Sequence, residues 1–202
     1  GSPCISSLKN RSFTTASPKP LNRYNRADGW DRVPHETPNV EPVFAVLVTS
    51  DSRFEALLEG ARYEDESGKL AGETLREAGF RVLGPVLLPN DELTIMGIAS
   101  YIAERGLANS ILIVGGTGAS PRDVSSDAVE EMCDRLLPGF GEAFRALTRE
   151  EDVAKSVLTR ATAGTLGDAV IFAVPGNPSA VELAVKRIIA PVIRHLLGEL
   201  NR

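Results

Sequence analysis

Ile111-Leu112-Ile113-Val114-Gly115-Gly116-Thr117-Gly118, followed by Pro121-Arg122-Asp123, is the stretch that decides how the chain is read. The four aliphatic residues predict a buried strand, and the glycine run directly after them predicts a tight loop that brings bare backbone to the strand's end. Backbone N–H groups so exposed, next to a helix N-terminus, suit an anion. Asp123, a few residues on, is placed to hold a metal or position a reactive group beside that anion.

Working outward, similar units lie on both sides. Val43 to Val48 is a continuous apolar run, as in a parallel strand covered on both faces, followed by a polar loop over Thr49–Ser52. Asp65-Glu66-Ser67-Gly68 precedes a helical segment with Leu70, Thr74, Leu75 and Ala78 on one face, stopped by Gly79. Phe80 to Leu88 reads as a strand, and Asn90 or Asp91 then caps a helix ended by Gly106. Beyond the glycine loop a helix starts near Ser126. The block from Pro138 to Arg160 yields two short helical pieces, 142–147 and 150–158. Ala169 to Val174 is a fourth strand, and the closing helix repeats apolar residues from Val181 to Leu196, with Pro191 kinking it or starting a new turn.

Strands alternating with helices predict a three-layer αβα domain with a mainly parallel sheet. In such sheets the loops after the strands share one edge, where ligands bind near a reversal of strand order. Thr49–Ser52, Asn90–Asp91, Gly115–Asp123 and Pro175–Ser179 should therefore form one rim.

Composition bounds what this rim serves. The chain has 202 residues, 43% of them hydrophobic and 24% charged, which supports one sizeable core. Residues 1–41 carry five of the thirteen prolines, no sustained apolar periodicity and a lone tryptophan, Trp30; they predict a flexible extension before a domain at 42–202. The extension is slightly basic, so the domain is more acidic than the chain's formal net charge of −5. That argues against general nucleic-acid binding. Cys4 and Cys133 make no disulfide framework and fit a reducing compartment, and no apolar run suggests a membrane span or a secretory signal. A cytoplasmic protein is expected.

Local motifs leave the chemistry open. Neither GxxxxGK[ST] nor GxGxxG is present, which removes ordinary phosphate-loop and dinucleotide readings. The glycines serve equally well as a plain strand-to-helix turn, and Asp91, Asp123 and Asp127 as helix caps. His35 and His195 lack partners for a triad or a zinc cluster, and Cys133 follows an apolar helical stripe as a core residue would. Arg122 and Arg160 are the basic residues nearest the rim, each equally suited to a surface ion pair.

Four ordered motifs carry a resemblance beyond this. Asp65-Glu66-Ser67-Gly68, Gly115-Gly116-Thr117-Gly118-Ala119-Ser120-Pro121-Arg122-Asp123-Val124, Pro138-Gly139-Phe140-Gly141 and Pro175-Gly176-Asn177-Pro178 resemble the MogA/MoaB family of molybdenum cofactor biosynthesis over roughly residues 43–197. The resemblance implies a molybdopterin-binding fold assembled as a homotrimer or a dimer of trimers. It also implies Mg²⁺-dependent adenylylation of molybdopterin by ATP with release of pyrophosphate. Carried over, Asp123 matches the family's catalytic, metal-holding aspartate. Asp91 is assigned to the second such aspartate, with Asn90 as the alternative occupant. Gly115, Gly116, Thr117, Gly118 and Arg122, with Ser67, Gly176, Asn177 and Ser179, correspond to substrate-binding positions. The segment 53–64 and the connections near 150 look closer to the MoaB branch, whose members include non-catalytic molybdopterin carriers or assembly proteins. A molybdate-insertion protein is an implied partner. That protein and the CinA-type pyrophosphatase also embed this fold, but with further domains for which 202 residues leave no room.

Overall fold

The computed structural model describes residues 38–202. The expected flexible extension, with Trp30 and Cys4, falls outside the described residues except for 38–41. Of those four, Val40 packs against the core, and Glu41 takes a hydrogen bond from Asn109 on its carbonyl and pairs with Arg194 at 2.6 Å. Val40 and Glu41 are thus tied to the body of the fold.

In chain order the elements are β1 (Val43–Thr49), α1 (Asp51–Leu58), α2 (Glu66–Glu77), β2 (Arg81–Leu88), α3 (Glu92–Glu104), β3 (Ser110–Val114) and α4 (Ser125–Met132). There follow β4 (Arg135–Leu136), α5 (Pro138–Glu151), α6 (Val153–Leu158), β5 (Thr162–Leu166), β6 (Ala169–Val174), α7 (Pro178–Leu183), a π-helical segment (Ala184–Ile189) and α8 (Ala190–Leu200). The sheet has six strands in the order β2-β1-β3-β6-β5-β4. Its first four strands are parallel, and β5 and β4 add antiparallel.

The apolar runs explain the centre. Every residue of β3 and β6 is buried, because helices cover both faces. Phe44, Val46, Val48, Leu112, Val114 and Phe172 face α2, α5 and the α7–α8 run. Ala45, Leu47, Ile111, Ile113, Ile171 and Ala173 face α3 and α4. Each large side chain taken from water here contributes about 1.5–3 kcal/mol. At the edge, Gly84-Pro85 falls where the β1–β2 register shifts, and an outermost strand tolerates the missing N–H.

Two features depart from the sequence expectation. The Thr49–Ser52 loop is shorter than expected, because Ser50 caps α1 by accepting the Arg53 N–H at 3.5 Å. The weak block before residue 169 contains β5, a strand of small residues joined to β6 by Gly167 and Asp168, with Gly167 at φ 54°. Pro191 does start a new helix, α8, and the wider π-helical turns ahead of it absorb its missing donor and ring.

The order of connections places the site. From β1 the chain moves outward to β2, then crosses to β3 on the other side of β1. That reversal puts a crevice beyond the carboxyl ends of β1 and β3, where the glycine loop begins.

Candidate active site

The β3 ladder runs one residue into the loop: the Gly115 N–H donates to the Val174 carbonyl at 2.9 Å. Gly115 then turns at φ 110°, and a Cβ there would lie 2.5 Å from the Thr49 carbonyl oxygen of β1. Gly116 follows at φ 64°, where a Cβ would sit 2.5 Å from both Asn90 Oδ1 and Ser125 Oγ. Three strand ends and α4 converge here so closely that only bare backbone fits. Among the described residues no acceptor engages the N–H groups of Gly116, Thr117, Gly118 and Ala119. Consecutive unpaired donors of this kind form a cradle for an anion.

Asp123 closes the loop on itself. Its carboxylate accepts the Ser120 N–H at 3.3 Å, and its own N–H donates to the Ser120 carbonyl at 2.9 Å. A Cβ on Gly118 would come within 2.7 Å of Asp123 Oδ2, so the third glycine makes room for the acid. Neither Asp123 nor Asp127 caps α4 through its side chain. Asp127 instead takes both ends of the Arg160 guanidinium, at 2.6 and 2.9 Å.

The Arg160 hydrogen bond holds the Asp127 carboxyl below its ordinary value of 3.8. A group whose acidity is strengthened by folding stabilises the fold above its unfolded value, and that contribution is lost as pH falls through the folded value. The melting-temperature difference between wild type and Asp127→Asn should therefore be constant above about pH 5 and shrink toward zero below about pH 4. A difference that stays constant through acid would show that the pair has no part in stability.

Asp91 and Asn90 are separated by the fold. Asp91 is exposed at the start of α3, where Oδ1 accepts the Thr94 N–H at 2.8 Å and the Thr94 hydroxyl at 2.6 Å. The hydroxyl bond, with the backbone one behind it, lowers its pKa. Asn90 is the residue turned to the glycine loop: Nδ2 donates to the Arg122 carbonyl, and Oδ1 is buried without a hydrogen-bond partner. Of the two residues considered for the second acidic position, Asn90 faces the glycine loop with Asp123, and Asp91 caps α3 through Oδ1. Arg122 joins the site through that carbonyl, and its side chain is exposed.

Ser67 lies behind the 175–179 loop. Its hydroxyl is buried and donates to the Gly176 carbonyl at 2.6 Å, which braces the 175–179 loop rather than presenting a group to a ligand. Ser67→Ala should cost about 1 kcal/mol or somewhat more, the usual result of stranding one buried acceptor. Urea unfolding would read this as a lowered midpoint with unchanged slope.

The braced loop reaches the glycines: a Cβ on Gly176 would lie 3.3 Å from Gly115 Cα. Asn177 caps α7 by accepting the Ala180 N–H at 2.9 Å, and the Ser179 hydroxyl donates to the same Asn177 Oδ1 at 2.8 Å. Between this loop and Thr117–Gly118 opens a cavity of about 300 Å³. Phe144 and Thr148 of α5 and Lys155 and Leu158 of α6 form its far wall, with Asn177 and Ser179 opposite. Lys155 pairs there with Asp152 at 3.4 Å. Sequence reasoning missed this wall, whose residues lie in the weakly patterned 138–160 block. Cys133, beside Gly164, has its thiol pushed up to about 12 by burial, which removes it as a nucleophile.

The rim, the glycine cradle and the cavity agree with what comparison shows. Residues 45–195 match the family described as "Probable molybdopterin binding domain". The chain belongs to the MogA/MoaB family of molybdenum cofactor biosynthesis proteins. It is 37% identical over 160 residues to Molybdenum cofactor biosynthesis protein B of Bacillus cereus, covering 78% of this chain and 89% of that protein. It is 35% identical over 158 residues to a protein of Methanocaldococcus jannaschii named "Probable molybdopterin adenylyltransferase", covering 78% of this chain and 93% of the other. The crystal structure of the tungsten cofactor synthesizing protein MoaB from Pyrococcus furiosus superposes with a TM-score of 0.69 at 32% identity, covering 80% of this chain and 98% of that one. The MogA/MoaB fold expected from the motifs is therefore the observed one.

Proposed function

We propose that this MogA/MoaB chain adenylylates molybdopterin. A terminal phosphate oxygen of molybdopterin attacks the α-phosphorus of ATP, the bond to the bridging oxygen breaks, and pyrophosphate leaves with the electron pair. Such a transfer asks the protein for positioning and charge neutralisation. The observation that supports the reading is the run of unengaged N–H groups from Gly116 to Ala119 with the Asp123 carboxylate folded beside them. We assign the phosphates to that cradle and the pterin to the cavity lined by Thr117, Asn177 and Ser179.

Among the described residues no group of three or more Asp, Glu, His or Cys side chains is set to hold a metal ion. That suits a magnesium ion arriving with ATP, which takes one or two carboxylates and completes its shell with phosphate oxygens and water. Asp123 is the residue we assign to it, while Asp91, the other expected ligand, caps α3 through Oδ1. The ion would neutralise charge on the transferring phosphate, and the backbone cradle adds fixed positive ends. Together they let an acidic protein handle two anionic substrates.

Asn90 favours a second reading. With an amide where a second carboxylate is expected, the same site suits a non-catalytic molybdopterin carrier. Purified protein given molybdopterin, Mg²⁺ and ATP separates the two: pyrophosphate release supports the transferase, and molybdopterin binding without release supports the carrier.

We propose a homotrimer or dimer of trimers as the assembly. Sedimentation as a monomer at micromolar concentration would contradict it. No helix among the described residues is long and apolar enough to cross a membrane. We propose a cytoplasmic site of action and hand-over to a molybdate-insertion protein.

A further inference from the structure

We propose that Arg160 is a positioning residue, its guanidinium keyed into Asp127 so that it fixes the Thr117–Asp123 loop and with it the place of the Asp123 carboxylate. The contacts span the loop from end to end. Arg160 Nε donates to the Gly118 carbonyl at 2.9 Å, and Nη2 donates to the Asp123 carbonyl. Nη1 and Nη2 also bind Asp127 at 2.6 and 2.9 Å. The main chain adds to this: the Arg160 N–H donates to the Thr117 carbonyl at 2.8 Å, and its carbonyl accepts the Ser126 hydroxyl at 2.7 Å.

One planar group thus holds the carbonyls of Gly118 and of Asp123 itself, while Asp127, in the first turn of α4, orients the plane. Both partners are more than one-third exposed, so the ion pair as such adds little stability. Its effect is geometric. With two carbonyls of the loop held by Arg160, the N–H groups of Gly116 to Ala119 remain without an acceptor. Lysine carries the same charge, but a single rotatable ammonium cannot reach three acceptors in the fixed fork that arginine provides.

The kinetic arm of the test rests on the adenylyl-transfer reading, and the exchange arm does not. In ligand-free protein, amide hydrogen exchange at Ser120, Arg122 and Asp123, the hydrogen-bonded N–H groups of the loop, should speed up at least about 10-fold in both Arg160→Lys and Arg160→Gln, with the β1, β3 and β6 amides unchanged. In turnover, Arg160→Lys should lower kcat by about 10- to 100-fold with KM for ATP within about 3-fold, as expected when a reacting group is displaced rather than a binding contact removed. Wild-type exchange at Ser120, Arg122 and Asp123 in Arg160→Lys would overturn the proposal, because lysine would then have rescued the loop by charge alone. Faster exchange throughout the sheet would overturn it too, by showing a general structural role. If wild type itself shows no turnover, the transfer reading fails and the exchange result alone decides the role of Arg160.

Discussion

Asp123→Asn should lower pyrophosphate release by at least about 100-fold, since even an indirect partner of a metal site is worth 10- to 100-fold. Molybdopterin binding should stay close to wild type. The reason is the division of labour in the site. The carboxylate is held beside Gly118 by the Ser120 N–H, an interaction that an amide oxygen keeps. The change therefore removes a negative charge and the carboxylate we propose as the magnesium ligand, while leaving the loop shape and the cavity intact. Equal losses in binding and in rate would mean that Asp123 shapes the loop instead. An unchanged rate would remove it from the chemistry.

Gly116→Ala carries the largest expected cost in stability. The residue sits at φ 64°, and the added methyl would press on Asn90 Oδ1 and Ser125 Oγ, each 2.5 Å away. The left-handed backbone costs a non-glycine residue about 1–2 kcal/mol. Overpacking adds about 1–3 kcal/mol, because both neighbours belong to elements fixed by the sheet. A total of roughly 2–5 kcal/mol corresponds to a fall in melting temperature of about 4–20 °C for a domain of this size. Gly139→Ala is the control: nothing lies within 4 Å of its added Cβ, and it should melt like wild type. If Gly116→Ala also melts like wild type, strand ends do not converge at the glycine loop.

Much of this architecture was legible in the chain. Val43–Val48, Ile111–Val114 and Ala169–Val174 announce themselves because strands buried on both faces have no polar alternation to confuse with a helix. Their following loops could be gathered on one rim from topology alone. Helix α1 was not legible because none of its residues is buried, leaving no apolar stripe to read. Strand β5 was hidden because Gly164 must be bare, a Cβ there meeting the Cys133 side chain at 2.6 Å, and because Thr162, Ala163, Thr165 and Leu166 around it make no apolar run. Its one readable mark is the Gly167-Asp168 hairpin.

Within the site, the glycines and Asp123 could be read from spacing, and the side chains that support them could not. Asn90 and Asp91 are both good helix caps, and which one faces the loop depends on where β2 ends, a matter of one residue. Ser67 has a residue type that suits a ligand, and only the fold shows its hydroxyl spent on the Gly176 carbonyl. Arg160 was placed near the rim, but its hold on Gly118 and Asp123 depends on a chain reversal through α5 and α6 that no local pattern records.

The most direct test of the central claim is transfer of label from ATP carrying a radioactive α-phosphate to molybdopterin, with pyrophosphate measured in the same reaction. The account predicts labelled, adenylylated molybdopterin in one-to-one ratio with pyrophosphate, dependent on Mg²⁺ and absent with Asp123→Asn. Bound molybdopterin that acquires no label under conditions where ATP and Mg²⁺ saturate would contradict it, and would leave the chain a carrier whose Asn90 marks the lost acid.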